Sequence, residues 1–372
     1  MKINKRLIKT KIDFILIFAL LLLCVLGGIF VYSASYYVAE KDYGDSFYFL
    51  KKQVIGYVIG WIAFAVASVI DYRKIKKYAI HFLIFSLILL ALVLTPLGKE
   101  VYGAKRWLGI GSFTIQPSDI SKLAFVIFAS AYLSNDLSRA TTFKGVLPVI
   151  VAGSVTCILI IAEPNMSITV CVGLIMLSML FIAGMKIKHF AIMLIPIVLM
   201  IPLLIIIEPY RLKRLMAFLD PWSSPKGEGY QLLQSLYSLG SGGLFGVGLF
   251  KSRQKMRFLP FAESDFILSI IGEEVGFIGV ICLFLVAGVI VWRIVKIAKE
   301  CDNFFGYLLA MGVASIFIIQ IAVNALVVTG SIPPTGLPFP LVSSGNTQII
   351  VFMGSFGIVN SIRMNKLYEQ LN

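Results

Sequence analysis

Apolar residues fall along this chain in long blocks, not in amphipathic stripes or alternating strands. Ten blocks can be read, at 13–35, 54–70, 78–95, 118–135, 146–162, 167–184, 189–207, 265–292, 304–330 and 342–362. A hydrocarbon layer of about 30 Å is crossed by about 20 apolar residues in a helix, so each block predicts a transmembrane span. The expected fold class is an all-α polytopic membrane protein of ten helices, a single domain over 1–372. The first block lacks a small-residue cleavage site followed by a soluble domain, so it reads as a retained helix. One polar interval breaks the pattern. Residues 208–264, between the seventh and eighth helices, are expected to form a large ordered extracytoplasmic loop.

Composition agrees with the pattern: 59% of the 372 residues are hydrophobic and 14% charged, with a mean hydropathy of +0.92. The formal charge is +14, and its distribution sets the orientation. With the N-terminus in the cytoplasm, the inside segments carry eighteen Lys and Arg and the short outside connections six. The large loop holds eight more, but long loops translocate largely regardless of charge. Both termini are therefore expected in the cytoplasm. The positive balance then reflects topology and attraction to anionic lipid, and nucleic acid is set aside as a partner. Cys24, Cys157, Cys171, Cys282 and Cys301 show no metal or redox spacing, and His81 and His189 have no ligand-like neighbours, so no histidine-based metal site is expected.

On this topology the unusual polar residues gather on the outer side. Lys105-Arg106-Trp107 and Gln116-Pro117-Ser118-Asp119 lead into the fourth helix, with Lys122 one turn further. Pro117, Ser118 and Asp119 are good helix-start residues. Asp119 and Lys122, three apart, read locally as an ion pair; an ionisable residue inside a membrane helix also turns toward protein or water. Glu163-Pro164-Asn165 suits a tight turn, though Glu163 could face a shared cavity.

The large loop opens on the basic run Arg211, Lys213, Arg214, suited to snorkelling or to a lipid phosphate. Residues 229–239 carry leucines at helical spacing and predict a short amphipathic helix on the bundle or in the headgroup layer. Gly240-Ser241-Gly242-Gly243 through Lys251-Ser252 resembles a phosphate loop only superficially: Phe250 precedes the lysine and no strand leads in. Lys251, Arg253, Lys255 and Arg257 could still embrace an anion. Ser264-Asp265 opens the eighth helix and suits capping. Glu273 and Glu274 lie about 12–13 Å deeper. Ser343-Ser344-Gly345-Asn346-Thr347 begins the tenth helix as a cap or a cavity lining.

Taken in order along the whole chain, these segments resemble the SEDS family of shape, elongation, division and sporulation proteins (FtsW, RodA, SpoVE). The resemblance is carried by Lys105-Arg106-Trp107, Gln116 to Lys122, Glu163-Pro164, the 240–255 stretch, Asp265-Phe266-Ile267, Gly272-Glu273-Glu274-Val275-Gly276, and Gly336-Leu337-Pro338 through Ser343. Ser252-Arg253-Gln254-Lys255 is closer to the division and sporulation branch than to the elongation branch. The resemblance implies a peptidoglycan glycosyltransferase of the bacterial cytoplasmic membrane that polymerises lipid II, the undecaprenyl-diphosphate-linked disaccharide peptide, on its outer face. It implies a class B penicillin-binding protein as partner, among divisome or sporulation-envelope proteins. Asp265 matches the family's essential aspartate and is expected to be the general base. Arg106, Asp119, Lys122, Glu163, Lys251, Arg253, Lys255 and Ser343 are the expected substrate contacts, and a divalent cation, magnesium or manganese, is left open.

The chain departs from the family pattern in several places. Asp119 replaces the usual glutamate, Asn165 the usual aspartate, and Ala262-Glu263-Ser264 the usual residues before Asp265. Ser344-Gly345-Asn346-Thr347 replaces the usual Tyr-Gly-Gly-Ser. Two other readings stay open: a lipid II flippase using Glu273, Glu274, Gln320 and Asn324, and a non-catalytic scaffold for the transpeptidase.

Overall fold

A computed structural model of the chain describes residues 12–101, 104–110, 113–192, 194–195 and 209–369. Helices α1 (Phe14–Tyr43), α2 (Tyr48–Val69), α3 (Tyr72–Lys77) and α4 (Ala79–Val93) lead to a small antiparallel sheet. Then follow α5 (Pro117–Leu133), α6 (Phe143–Ala162), α7 (Met166–Ile182), α8 (Pro209–Leu219), α9 (Tyr230–Gly242), α10 (Ile267–Lys299), α11 (Phe304–Val328) and α12 (Asn346–Glu369). Nine of the ten apolar blocks become helices near their expected limits; most of the block at 189–207 lies outside the described residues. Among the described residues, α1, α2, α6, α10 and α11 are long and apolar enough to cross a bilayer, and α4 and α7 are shorter apolar helices.

The interior is lined by Leu16, Leu20, Leu23, Phe125, Phe305, Phe317, Phe339 and Phe356, all fully buried. The outward faces are apolar too, with Phe18, Ile62, Phe85, Ile158 and Leu285 exposed. Helices that are apolar all round need hydrocarbon outside as well as a core inside. At one end of the bundle Asp13 is buried at the start of α1. It caps Leu16 N–H at 3.0 Å, accepts from Arg293 Nε of α10 at 3.0 Å, and pairs with Arg363 of α12. One carboxylate thus fastens three helices.

The sheet was not legible in the sequence. β1 (Gly98–Val101), β2 (Ala104–Ile110) and β3 (Phe113–Ile115) pair in the order β1-β2-β3. Lys99 opposes Trp107 while Glu100 opposes Lys105. Arg106 is therefore the extra residue of a β-bulge, a feature that re-aims side chains.

The interval 208–264 is more structured than a polar loop. It holds α8, a 3₁₀ turn (Pro221–Ser223) and α9, whose Leu232 and Leu233 are buried against the bundle. The Gly-rich stretch after α9 has an unanticipated use. Helix α10 breaks at Gly276 (φ 68°, ψ −171°), which frees backbone groups on both sides. Val247 N–H donates to the Glu273 carbonyl at 2.9 Å and Gly248 N–H to that of Glu274 at 3.0 Å. In return Phe277 N–H donates to the Gly243 carbonyl at 2.9 Å and Ile278 N–H to that of Leu244 at 3.1 Å. Residues 243–248 thus patch the break and satisfy groups that could not be left unpaired in an apolar layer. Only glycine serves at 276, where a Cβ would stand 2.4 Å from the Gly246 nitrogen.

Candidate active site

Asp265 lies just before α10, and its carboxylate is not used for capping. The cap position is Phe266, and no side chain caps the helix. The segment is instead held through its main chain. Ser344 N–H donates to the Glu263 carbonyl at 2.9 Å. The Ser343 hydroxyl donates to the Ser264 carbonyl at 2.6 Å, and Asn324 Nδ2 to the Asp265 carbonyl at 2.9 Å. Three consecutive carbonyls are gripped by the end of the 330–345 loop and by α11. Gly336, at φ +74°, leaves room above the aspartate: a Cβ there would lie 3.1 Å from Asp265 Oδ2.

A second row of bonds braces that loop. Lys122, buried on α5, pairs with Asp119 at 2.8 Å and donates to Gln320 Oε1 at 2.9 Å. Gln320 Nε2 donates to the Pro338 carbonyl at 3.1 Å. One turn along α11, Asn324 Nδ2 also reaches the Leu337 carbonyl at 2.6 Å. Asp119 and Lys122 therefore form the local ion pair expected from their spacing, and they connect to Asp265 through α11 and the 330–345 loop. Ser343 is likewise part of the grip, its oxygen also accepting from Phe339 N–H at 2.8 Å.

Arg106 is aimed by its bulge at the α6–α7 turn, where Nη2 donates to the Pro164 carbonyl at 2.5 Å. Its charge acts on two carboxyls, Glu163 and Asp265. Glu163 is 0% exposed, and neither carboxyl oxygen has a hydrogen-bond partner. Burial pushes the Glu163 carboxyl up to about 8 against the opposing pull of Arg106. Asp265 is half-buried. Loss of water pushes its carboxyl up to about 6, the Glu263 carboxylate adds to the rise, and Arg106 and Arg214 oppose it. Glu263 is raised as well, chiefly by loss of water. Arg214 reaches the same loop from α8, donating to the Pro334 carbonyl at 3.3 Å. Asn165, the departure from the usual aspartate, caps α7 through Ile168 N–H at 3.4 Å.

The remaining expected contacts lie elsewhere. Lys255 is fully buried in an ion pair with Glu274 at 2.7 Å and donates to Ser33 Oγ of α1 at 3.1 Å. Its ammonium is therefore committed to holding the loop on α1 and α10. Glu273 accepts from Ser252 Oγ at 2.5 Å, from Ser238 Oγ at 3.1 Å and from Arg253 N–H at 3.0 Å. The side chains of Lys251 and Arg253 are exposed on this segment. Among the described residues no three His, Cys, Asp or Glu side chains gather as a ready-made metal site. Arg214, Asn324 and Gln320 were not among the contacts expected of the Asp265 site. For Arg214 the basic run was a signal; for the two amides on α11, only their polarity within an apolar helix was.

A polytopic helical bundle with a half-buried aspartate gripped at one mouth, in the field of two arginines, defines a multi-pass integral-membrane protein with a candidate polar site at one end. The chain belongs to the FtsW/RodA/SpoVE family, described as cell cycle proteins, whose pattern matches residues 14–368. It is 37% identical over 363 residues to stage V sporulation protein E of Bacillus subtilis, covering 97% of this chain and 99% of that protein. It is also 37% identical over 355 residues to a protein of Trichlorobacter lovleyi named "Probable peptidoglycan glycosyltransferase FtsW", covering 94% and 92%. Among solved structures, it superposes with a TM-score of 0.79 and 26% identity on a chain of a peptidoglycan synthase complex, covering 95% of this chain and 98% of that one. That structure was described for the coordination of polymerization and crosslinking.

Proposed function

We propose that this chain is a peptidoglycan glycosyltransferase that polymerises lipid II at the outer face of the cytoplasmic membrane, with both termini inside the cell. The observation that carries the reading is the grip on Asp265. A carboxylate whose backbone is fixed at three successive carbonyls, and which has no capping duty, is preorganised for a reaction. The acceptor sugar's 4-hydroxyl attacks the donor's anomeric carbon as Asp265 takes its proton. The bond to the undecaprenyl diphosphate breaks, and the diphosphate leaves with the electron pair. A group near 6 is ionised at neutral pH yet basic enough to assist. Arg106 and Arg214 supply permanent positive charge beside Asp265, where the leaving diphosphate develops negative charge. No nucleotide is required, because the lipid-linked diphosphate is already activated.

A divalent cation fits the donor set in part. The Glu263 carboxylate, which adds to the rise at Asp265, would hold magnesium or manganese together with diphosphate oxygens and leave Asp265 free as the base. The cation would supply charge neutralisation at the leaving group. A class B penicillin-binding protein is the proposed partner, supported by the likeness to a chain of a peptidoglycan synthase complex. The flippase reading loses its support, because Glu273, Glu274, Gln320 and Asn324 all make hydrogen bonds within the fold.

Purified chain with labelled lipid II and its transpeptidase, with and without Asp265→Asn, distinguishes the three readings. Glycan polymer that disappears in the variant supports the enzyme. Lipid movement without polymer would favour a flippase, and transpeptidase stimulation alone a scaffold.

A further inference from the structure

Two buried ionic clusters mark levels along α1 and α10. Asp13 of α1 meets Arg293 of α10 near one end; Ser33 of α1 and Glu274 of α10 meet at 2.7 Å toward the other. Asp13 and Ser33 are twenty residues apart, about 30 Å along a helix at 1.5 Å per residue. From Arg293 to the break at Gly276, two residues short of Glu274, is seventeen residues, about 26 Å by the same rise. Both spacings are close to the thickness of a bilayer's hydrocarbon core, about 30 Å. The charges are therefore set at its two borders. At the Glu274 level the rings of Tyr32, Tyr36, Phe47 and Phe250 cluster, with Tyr32 stacked on Phe47 at 4.9 Å and edge-on to Phe250 at 6.0 Å. Aromatic side chains collect at such borders.

The 243–248 segment is fastened at this same level by its bonds to α10. It points large apolar groups outward: Leu244 is 61% and Phe245 78% exposed, and Val247, Leu249 and Phe250 are also exposed. Exposed cations follow at once in Lys251 and Arg253. In water such an apolar tip would be a liability, but at a bilayer border apolar groups beside basic ones are the signature of an interfacial anchor.

We infer that residues 244–253 form a membrane anchor on the Asp265 side, with Leu244 and Phe245 inserted among acyl chains and Lys251 and Arg253 bound to headgroup phosphates. Its backbone suits that depth because the broken helix supplies its hydrogen bonds. The anchor holds down the chain segment that runs from α9 to Asp265. It also assigns Lys251 and Arg253 to the lipid surface and not to the reacting diphosphate.

Benzoylphenylalanine placed at Phe245, at mid-helix Ile281 and at Glu228 in the full chain tests this in proteoliposomes of phosphatidylglycerol and phosphatidylethanolamine, free of lipid-linked saccharide. After irradiation, lipid adducts at 245 should come within about twofold of those at 281 and exceed those at 228 about tenfold or more. Added lipid II should leave the 245 adduct unchanged. Adduct at 245 no higher than at 228 would overturn the inference. So would loss of the adduct on adding lipid II, which would make the surface a substrate track. A chiefly protein adduct at 245 in cell membranes would make it a protein interface and overturn it too.

Discussion

Asn324 Nδ2 donates to the main-chain carbonyl of Asp265 at 2.9 Å and to that of Leu337 at 2.6 Å. One buried amide thus sets the distance between the aspartate and the loop that covers it. Replacement by leucine, which fills similar space, strands two carbonyls. It should cost about 1–3 kcal/mol, the range for unsatisfied buried groups. Polymer formation should fall about tenfold or more as Asp265 loses its placement. Thermal unfolding and initial polymerisation rates on the same preparation check both, and a rate loss without a matching fall in folded fraction is the expected pattern.

The pH dependence of polymerisation follows from Asp265. A carboxyl raised to about 6 must be ionised to act as base, so the rate should climb with pH through that value. At pH 5 the rate should be about one tenth of its plateau, since one unit is a factor of ten. Arg106, Arg214 and Glu263 face this group. Removing the Glu263 charge with glutamine should therefore move the midpoint down, and removing the Arg214 charge should move it up. A rate profile from pH 4.5 to 8 reads both shifts.

Glu163 gives a stability signature of the opposite kind. Its proton is held more tightly in the folded chain, near 8, than at the ordinary 4.5. Folded stability from this group is complete below pH 4.5 and is lost as pH rises to about 8. Glu163→Gln copies the protonated form and escapes that loss. The melting temperature of the variant relative to the parent should be unchanged near pH 4.5, rise up to pH 8 and then level off.

Lys255 and Glu274 form a buried pair at 2.7 Å. Lys255→Met alone leaves a buried carboxylate and should cost about 3–5 kcal/mol. Adding Glu274→Gln should recover much of the loss, because the orphaned charge is then gone. Unfolding of the two single variants and the double variant in one detergent measures the coupling.

Elements set by local pattern could be read from the chain. Apolar blocks gave the helices, and the three-residue spacing of Asp119 and Lys122 gave their ion pair. Arg106 could be suspected, but not its bulge, which depends on how β1 meets β2. The grip on Asp265 joins residues 59 and 79 positions apart, and periodicity says nothing about such partners. The use of the glycine-rich stretch was hidden for the same reason. Its purpose is a break in a helix that follows it in sequence, at Gly276. Lys255 was expected to face substrate because cations in a loop read as free, and only the fold reveals Glu274 beneath it.

The most direct measurement is the rate at which Asp265→Asn joins lipid II units in vesicles at neutral pH, alongside folded parent protein. The amide keeps the shape and the main-chain bonds but cannot accept the acceptor's proton. The account predicts a fall of about a hundredfold or more, the scale of general-base assistance. Chain growth equal to that of the parent would contradict it.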